Sequence, residues 1–352
     1  MGGCTSLQTA PDPRSQVYDR VLSSMPSMEG KTVLITGCSS GLGYTLAMAV
    51  ASKKGRVLMV NRPSAQASKA LASINAWKDV EVDSGSHGSN SREYSSNAPY
   101  PGGELFECDL NSFASVKKAA EAIRKESPEG IHVMCLNAGI QAYEDKATID
   151  GFDVQVQTNH LSHFLLTSLL WDLVLKAAET SGEARVVTHT DQARKNPKKN
   201  FAPSYLEKKG GGMGGGAGRW VRYQQSKLAN LLFAYELGEV AKKAGSKVKV
   251  MCAHPGSAVT GLHMKSAANG ATTWADNSRL NAAFKKGQST EDGTVGILKA
   301  CCDASMRSGD FLGPKHAAGD AEVLPAERDE AAQKLCWDAS MVACGVKEFG
   351  KA

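Results

Sequence analysis

The chain has 352 residues, an apolar content of 42% and a formal net charge of +5. This length suits one large α/β domain with insertions, or two small domains. The positive charge is modest and scattered, which argues against a nucleic-acid-binding protein. Nine cysteines stand at irregular spacing without a Cys-x-x-Cys pair. They indicate small core residues in a reducing compartment and predict no metal site.

The first 30 residues are polar and contain Pro and Ser, so we expect a flexible N-terminal tail, residues 1–30. Met1-Gly-Gly-Cys-Thr-Ser6 fits the pattern for myristoylation of Gly2, and Cys4 beside it is a candidate for palmitoylation. Two such chains would anchor the protein to a membrane. The alternative is an ordinary tail whose second residue happens to be glycine. Three acidic residues argue against an organelle transit peptide: Asp12, Asp19 and Glu29. We therefore expect a cytoplasmic protein, with acylation as the route to a membrane surface.

Short apolar runs that alternate with helical patterns predict an α/β fold. Lys31–Thr36 is a β-branched strand that stops at a glycine cluster, Leu42–Ser52 supplies the next helix, and Gly55–Val60 is a second strand. Further strands are predicted at 105–108, 131–136, 185–188 and 248–253, and a helix is predicted at 116–125. The most apolar long stretch, Leu161 to Leu175, contains polar residues and predicts a buried helix rather than a membrane span.

This alternation favours one doubly wound (Rossmann) parallel sheet in a single domain, residues 31–342, followed by a C-terminal tail, residues 343–352. Two low-complexity insertions interrupt the domain, near 80–104 and 195–220. The first, from Asp79 to Glu104, is rich in Ser, Gly and Asn and is predicted to be a mobile loop. The second contains Lys208–Gly218, which we interpret as a flexible surface linker because no strand precedes it.

The first glycine cluster follows a strand and opens a helix, which is the context of a dinucleotide site. Its glycines would let the backbone approach a pyrophosphate, and the helix N-terminus favours negative charge. A glycine turn without a ligand is the alternative. The cluster supplies these candidate cofactor residues: Thr36, Gly37, Ser39, Ser40, Gly41, Leu42 and Gly43.

The end of the second strand reads Val60-Asn61-Arg62-Pro63, without an acidic residue. An acid there would suit the ribose hydroxyls of NAD, whereas an arginine suits a 2′-phosphate. We therefore predict NADP(H), with Arg62 and Ser39 or Ser40 holding the phosphate. A surface arginine without a role is the alternative. Asp109, followed by Leu110, is a candidate for the adenine contact or for a helix N-cap.

Tyr223 and Lys227 stand four residues apart and would share a helix face. The ammonium group would lower the pKa of the phenol, which could then exchange a proton with a carbonyl or alcohol oxygen. Taken alone the pair is a weak signal, since both residue types are common. It gains weight from the glycine cluster and from Asn137-Ala138-Gly139 and Asn159, which precede it in the chain.

In this order, the motifs resemble the short-chain dehydrogenase/reductase family, and within it the retinol-dehydrogenase-like branch. Light-dependent protochlorophyllide reductases share much of the pattern. The resemblance covers about residues 31 to 342, and the finer match rests on 150–152, 158–167, 223–230, 254–256 with Thr260, and 334–340.

The resemblance implies a role for each matching residue. Tyr223 would be the acid/base, Lys227 would bind the nicotinamide ribose, and Asn159 would hold a water. The triplet Asn137, Ala138 and Gly139 would lie against the cofactor, and Pro255, Gly256 and Thr260 would cover the nicotinamide amide. The cofactor would carry the hydride.

One position departs from the family pattern. The family has a serine after the fifth strand that orients the carbonyl. An ungapped match places Thr190 and Asp191 on a pair of serines, with Asp191 at the catalytic position. Thr190 could supply the hydroxyl. A carboxylate only accepts hydrogen bonds and would oppose ionisation of Tyr223.

The sequence therefore predicts an NADP(H)-dependent oxidoreductase that interconverts a carbonyl and an alcohol on an apolar substrate of the retinoid, lipid or isoprenoid kind. The alternative is a nucleotide-binding regulator, or a weakly active family member with an altered serine position. We expect a monomer or a homodimer, and no nucleic-acid partner. The helices that family members often use to dimerise correspond to Leu161–Leu175 and Leu228–Leu237.

Overall fold

The computed structural model describes residues 15–76, 100–195, 200–274, 276, 278, 281 and 287–351. Within them, the strands form one sheet in the order β3-β2-β1-β4-β5-β6-β7-β8. Neighbouring strands pair in parallel, except that β8 runs antiparallel to β7. The strands are β1 (Thr32–Thr36), β2 (Arg56–Asn61), β3 (Gly103–Glu107), β4 (Val133–Leu136), β5 (Ala184–His189), β6 (Val248–Ala253), β7 (Phe311–Pro314) and β8 (Ala321–Leu324).

Helices connect the strands. They are α1 (Tyr18–Ser24), α2 (Gly41–Ser52), α3 (Ala65–Asn75), α4 (Phe113–Glu126), the single turn α5 (Val154–Val156), α6 (Ser162–Ser181), α7 (Arg219–Lys243), α8 (Gly261–Ala268), α9 (Thr290–Cys302) and α10 (Glu330–Cys344). A π-helical turn, Gln157–Leu161, joins α5 to α6. Two 3₁₀ turns follow β5, Gln192–Lys195 and Pro203–Leu206.

Each face of the sheet has its own hydrophobic core. Along β1, Leu34 packs into the cluster that includes α4, α6, α7 and α10, whereas Val33 and Ile35 pack into the cluster with α1, α2 and α9. Successive side chains of a strand point to opposite faces, so an all-apolar strand is needed when both faces are covered. The predicted doubly wound α/β sheet is confirmed.

The apolar helix predicted at Leu161–Leu175 is also buried. By length and composition alone, the continuous helical run Val154–Ser181 could span a membrane, but 78% of its most apolar window is buried inside the fold. Its side chains therefore form core contacts on the side of α4 and α7.

The expectation of a flexible tail through residue 30 is wrong for the described part of that segment. Residues 1–14 lie outside the described residues, but α1 packs Tyr18, Val21 and Leu22 into the core. The carboxylate of Asp292, at the start of α9, accepts hydrogen bonds from the Ser15 hydroxyl and from the three backbone N–H groups of residues 16–18. These are the groups that a helix N-terminus leaves unpaired, so Asp292 fixes α1 to the domain.

The predicted C-terminal tail also belongs to the domain. Helix α10 continues to Cys344, and beyond it the Phe349 ring lies 4.7 Å from the Trp337 ring and 5.8 Å from the Trp171 ring, centroid to centroid. The Gly350 N–H donates to Ser168 Oγ at 3.2 Å. The chain end therefore covers α6 rather than leaving the fold.

The glycine-rich segment Lys208–Gly218 is not the flexible linker that we expected. The Asp145 carboxylate accepts hydrogen bonds from the N–H groups of Gly211, Met213 and Gly215, at 2.7–3.0 Å. Arg222, which is fully buried, donates to two carbonyls of the same segment. The segment is thus held against the start of α7. Most of the other insertion, Asp79–Glu104, lies outside the described residues, and β3 begins at Gly103.

Candidate active site

A cavity of about 530 Å³ opens at the carboxyl ends of the central strands. It lies where β1 and β4 are neighbours and the strand order reverses, the usual ligand site of such sheets. Most predicted site residues line it: Gly37, Ser39, Ser40, Gly41, Leu42, Gly43, Arg62, Asp109, Leu110, Asn137, Ala138, Gly139, Thr190, Tyr223, Lys227, Pro255 and Thr260. Three predicted residues lie outside this lining: Thr36, Asn159 and Gly256.

The glycine turn between β1 and α2 is shaped for close approach. Gly37 has φ +71°, and a Cβ there would lie 2.8 Å from Ala138. Ser40, the N-cap of α2, makes no side-chain capping bond, so the first N–H groups of the helix face the cavity without that acceptor. These features fit a dinucleotide pyrophosphate. Asn61, which sequence reasoning did not assign, shapes the turn by accepting the Cys38 N–H at 3.1 Å.

At the end of the cavity near the carboxyl end of β3, the structure excludes one of the two predicted roles of Asp109. The N-cap of α4 is Ser112, whose hydroxyl accepts the Ser115 N–H at 3.3 Å. Asp109 instead lines the cavity and closes a turn by accepting the Asn111 N–H at 3.0 Å. The helix-capping alternative is therefore wrong. Arg62 lines the same end and is exposed.

Tyr223 and Lys227 lie side by side on α7, as their spacing predicted. The side chains are 1% and 6% exposed, and the Lys227 ammonium lies 5.9 Å from the centre of the Tyr223 ring. Lys227 donates to the His189 carbonyl at 3.2 Å. Helix α7 thus presents a phenol and a cation next to the end of β5.

The pKa of Tyr223 differs from our expectation. Burial raises this pKa well above its usual value of 10.0, the Asp191 charge and hydrogen bond raise it further, and a hydrogen bond from Gln141 opposes them. Burial also lowers the pKa of Lys227, while Asp191 acts in the opposite direction. The predicted tuning of Tyr223 towards neutral pH is therefore wrong for the protein without a cofactor. The dominant reason is desolvation of the phenolate.

The two residues at the serine positions have different partners. The Thr190 hydroxyl donates to the Lys227 backbone carbonyl at 2.6 Å, and its N–H donates to Ala253. Asp191 lines the cavity, and its negative charge is the one that raises the pKa of Tyr223. Its Oδ1 also accepts the Ala193 N–H at 2.7 Å. A carboxylate therefore occupies the place next to the tyrosine.

Asn159 lies in the π-helical turn, a feature often found at functional sites. Its side chain pairs with both backbone groups of Ile140, accepting at 2.8 Å and donating at 3.0 Å, and donates to Ser226 Oγ at 2.8 Å. A Cβ on Gly139 would lie 3.2 Å from Asn159 Oδ1 and 3.3 Å from Lys227 Nζ. Asn159 thus links the loop after β4 to α7, close to Lys227.

Two further residues at this centre were missed by sequence reasoning. Gln141 is buried near Tyr223 and lowers the pKa of the phenol. His189 lines the cavity, and its Nδ1 lies 3.0 Å from Asn137 Oδ1. Burial keeps the pKa of His189 well below 6.5, so its ring is neutral. His189 stands directly before Thr190 at the end of a strand, which was a readable signal; Gln141 lies in an irregular loop and gave none.

No protein-family model matches the chain. Retinol dehydrogenase 14 of Mus musculus is 31% identical over 329 residues, covering 91% of this chain and 87% of the relative. A short-chain dehydrogenase/reductase of Aspergillus calidoustus is 30% identical over 261 residues, covering 69% and 72%. The chain belongs to the short-chain dehydrogenase/reductase family. It is an oxidoreductase-family member related to the retinol dehydrogenases.

Solved structures agree with this assignment of the fold. An uncharacterized protein from Mycobacterium paratuberculosis has a TM-score of 0.65 and 26% identity, covering 92% of this chain and 97% of its own. A short-chain dehydrogenase of Shigella flexneri 2a, solved with NADP, has a TM-score of 0.54 and 18% identity, covering 81% and 96%. Proteins of this family use NAD(P)(H).

Proposed function

We propose that this short-chain dehydrogenase/reductase uses NADP(H) to interconvert a carbonyl and an alcohol on an apolar substrate. The observation that carries the proposal is the buried Tyr223–Lys227 pair at the inner end of the cavity that the glycine turn opens. The retinol dehydrogenases among its relatives support an apolar substrate. A cofactor-binding regulator is the second candidate, and the carboxylate of Asp191 beside the tyrosine favours it.

Each residue has a task that its position supports. Bound NADP(H) would supply or accept the hydride. Tyr223 would give its proton to the substrate oxygen, and the Lys227 ammonium would hold the ribose hydroxyls. Asn159 fixes the loop at Ile140 and would hold a water behind Lys227. The glycine turn and the α2 N-terminus would hold the pyrophosphate.

The proposed preference for NADP(H) over NAD(H) rests on Arg62, which lines the cavity together with Ser39 and Ser40. A guanidinium binds a 2′-phosphate through charge-assisted hydrogen bonds. Arg62→Ala should therefore raise the KM for NADPH at least about tenfold and leave the KM for NADH nearly unchanged. Equal effects on both cofactors would contradict this assignment.

The test of the proposed activity is NADPH consumption against long-chain and isoprenoid aldehydes. Tyr223→Phe removes the proton donor and should lower kcat by about 10²- to 10⁴-fold, with NADPH affinity unchanged. NADPH binding without turnover on any aldehyde would favour the regulator. Failure to bind NADPH would overturn both candidates.

Thr190 also keeps a proposed role, as the hydroxyl at the serine positions. Its 2.6 Å bond to the Lys227 carbonyl predicts that it acts by positioning α7. Thr190→Ala should lower kcat, and Thr190→Ser should restore it because the donor returns. Equal activity of Thr190→Ala and the unmodified protein would show that Thr190 has no role in the reaction.

We propose in addition that Gly2 and Cys4 are acylated and hold the enzyme at a membrane surface. The support is the N-terminal sequence motif. Mass spectrometry of the N-terminal peptide from eukaryotic cells should show a myristoyl group, and Gly2→Ala should move the protein into the soluble fraction. Cys4→Ser should weaken membrane retention without removing the myristoyl group.

A further inference from the structure

Among the described residues, the Lys227 ammonium has a single hydrogen-bond acceptor. It donates to the His189 carbonyl at 3.2 Å, and the lysine is only 6% exposed. An ammonium group has three N–H donors, so two of them remain for a ligand in the cavity. Because one hydrogen bond sets the place of the cation, the groups that fix the His189 carbonyl also fix Lys227.

The same carbonyl has a second donor on the same helix. Asn230, one turn after Lys227 on α7, donates to the His189 oxygen through Nδ2 at 3.1 Å. A backbone carbonyl has two lone pairs, and these two bonds use both of them. Asn230 therefore occupies one side of the oxygen and leaves the other side to the ammonium.

Behind Asn230 lies His160, in the π-helical turn between α5 and α6. Its Nδ1 atom is 3.2 Å from Asn230 Oδ1, and its Nε2 atom is 2.8 Å from the hydroxyl of Ser340 on α10. His160 and Ser340 are fully buried, and Asn230 is 3% exposed. Hydrogen bonds thus connect α10, through the π-helical turn, to the lysine that lines the cavity.

The direction of each hydrogen bond in this chain follows from its neighbours. Asn230 turns Nδ2 towards the His189 carbonyl, which only accepts, so Asn230 Oδ1 faces His160 and must accept from its Nδ1. Burial lowers the pKa of His160 to about 3, so the ring is neutral and Nε2 carries no proton. The Ser340 hydroxyl therefore donates to Nε2. This hydroxyl also lies 2.7 Å from the Cys336 carbonyl, but that carbonyl has the Ser340 N–H as its helical partner.

The surroundings of His160 are apolar. Its ring packs edge-on against Phe233, with centroids 6.0 Å apart, and lies 6.3 Å from the Phe164 ring. In such surroundings a polar group that loses its partner stays unsatisfied, because water does not reach it. A change at His160 is therefore passed on to Asn230 instead of being compensated by solvent.

We propose that His160 and Ser340 are positioning residues for Lys227. They fix the amide of Asn230, and Asn230 in turn fixes the side of the His189 carbonyl on which the ammonium lies. The proposal rests on the proposed function, in which Lys227 holds the ribose of the dinucleotide. It makes α10, near the C-terminal end of the chain, part of the cofactor site.

Two substitutions at His160 separate positioning from packing. The amide nitrogen of asparagine is attached to Cγ, as is histidine Nδ1, so His160→Asn keeps a donor for Asn230. The amide nitrogen of glutamine corresponds to Nε2, so His160→Gln keeps a partner for Ser340 and loses the donor to Asn230. Asparagine is also the smaller side chain and leaves the larger cavity. Packing alone therefore predicts more damage in His160→Asn, whereas positioning predicts more damage in His160→Gln.

The test is the Kd for NADPH, measured by fluorescence titration. We expect His160→Gln to raise this Kd at least about tenfold and His160→Asn to stay within about twofold of wild type. Equal effects of the two substitutions, or no effect of either, would overturn the proposal. Ser340→Ala is a milder variant that removes only the donor to Nε2, and it should raise the Kd at least about threefold. An unchanged Kd in Ser340→Ala would count against the proposal even where His160→Gln fails to fold.

A double-mutant cycle shows whether the effect passes through the lysine. Lys227→Met removes the ammonium and keeps an apolar side chain of similar length. If His160 acts through Lys227, adding His160→Gln to Lys227→Met should change the Kd by less than about twofold. A rise of the same size in both backgrounds would show that His160 supports the site independently of Lys227, and the proposal would be wrong.

Cys344→Ala is the control for general loosening of α10. Cys344 is buried on the same helix, and its Sγ atom donates to the Leu161 carbonyl of the same π-helical turn at 3.3 Å. It joins the same two elements without a bond to His160. We expect Cys344→Ala to lower the melting temperature and to leave the Kd for NADPH unchanged. A rise equal to that in His160→Gln would contradict a specific role for His160.

A second readout does not depend on the dinucleotide. The rate of reductive methylation of Lys227, followed by peptide mass spectrometry, reports how firmly the amine is held. This rate should rise at least about threefold in His160→Gln and stay unchanged in His160→Asn. If the wild-type protein does not bind NADPH, the proposed function fails, and the methylation rates alone decide the positioning proposal. Equal rates in the three proteins would then refute it.

Discussion

At the scale of single residues, burial rather than the neighbouring lysine sets the pKa of Tyr223. Lys227 lies beside Tyr223 as the spacing predicted, yet the pKa of the phenol is raised because burial desolvates the phenolate and Asp191 adds a negative charge. Without a cofactor, Tyr223 therefore keeps its proton throughout the neutral range. Under the proposed function, this protonated phenol would be available to a substrate carbonyl at neutral and alkaline pH.

Gly37 gives a residue-scale prediction about the cofactor site. Gly37→Ala would force a positive φ on an alanine and bring its Cβ to 2.8 Å from Ala138. The turn must then shift, and the N–H groups that face the cavity shift with it. We expect the Kd for NADPH to rise at least about tenfold, equivalent to about 1.4 kcal/mol, in a fluorescence titration.

Gly30 provides a matched control. Its φ is +73°, close to the +71° of Gly37, but a Cβ there would meet nothing within 4 Å. Gly30→Ala therefore carries the same left-handed strain, about 1–2 kcal/mol, without the crowding. Unchanged NADPH affinity in Gly30→Ala is expected, and equal weakening in both variants would show that crowding against Ala138 is not the cause.

Residue types and spacing predicted the main site residues because the positions of these residues relative to one another depend on local geometry. Tyr223 and Lys227 share a helix face, and the glycine turn follows a strand, whatever the rest of the fold does. The partners of Tyr223 could not be predicted in the same way. Gln141 and Asp191 reach the phenol from two different loops, so their contacts depend on how the strands are arranged.

At the scale of elements, the glycine-rich segment before α7 is held by one carboxylate. The Asp145 side chain is 6% exposed and accepts hydrogen bonds from three N–H groups of that segment. Asp145→Ala removes these charge-assisted bonds, each worth about 1.5–3 kcal/mol. We expect tryptic cleavage after Lys208 or Lys209 to become at least about tenfold faster, because local opening precedes cleavage.

The neighbouring Glu207 serves as the control for this prediction. It forms an ion pair with Lys209, and both side chains are more than half exposed. Glu207→Gln removes a carboxylate next to the cleavage sites without releasing the segment, so the cleavage rate should stay within about twofold of wild type. If Asp145→Ala is cleaved no faster than Glu207→Gln, Asp145 does not hold the segment closed.

The two wrong predictions of mobile segments, α1 and residues 208–218, have a common physical cause. Strands such as Thr32–Thr36 were readable because a run of apolar β-branched residues predicts a strand on its own. Helix α1 is a seven-residue segment that is fixed by Asp292, more than 270 positions later in the chain. The segment 208–218 likewise depends on Asp145. Composition predicted mobility in both cases because it contains no information about such distant acceptors.

At the scale of the whole molecule, buried histidines should make stability depend on pH. His160, His163 and His254 are at most 1% exposed, and burial lowers their pKa values to about 3, 4 and 3. His189 is 4% exposed, and its pKa also lies well below 6.5. The fold therefore holds four neutral rings that the unfolded chain would protonate near pH 6.5.

The direction in which stability changes with pH follows from proton binding. Below pH 6.5 the unfolded chain binds protons that the folded protein refuses, so stability is fully present above pH 6.5 and is lost as the pH falls towards 4 and 3. Each histidine contributes a slope of about 1.4 kcal/mol per pH unit. By pH 5 the three rings with pKa values of about 3 to 4 would together remove about 6 kcal/mol, which is comparable to the whole stability of a typical domain.

We therefore expect cooperative acid unfolding between about pH 6 and 4, detected as a falling free energy of unfolding in urea titrations from pH 7.5 downwards.

The surroundings of His163 show the structural reason. It lies 2.9 Å from both the Asn159 carbonyl and the Thr36 hydroxyl, and Thr36 already accepts the Ala138 N–H. A neutral ring can donate to the carbonyl and accept from Thr36, and protonation would remove the ring nitrogen as an acceptor for the Thr36 hydroxyl. His160→Gln should lower the number of protons that bind on unfolding by about one. The substitution His316→Gln, at an exposed position, should leave that number unchanged. A stability that is flat from pH 7 to 5 would show that these rings are not neutral in the fold.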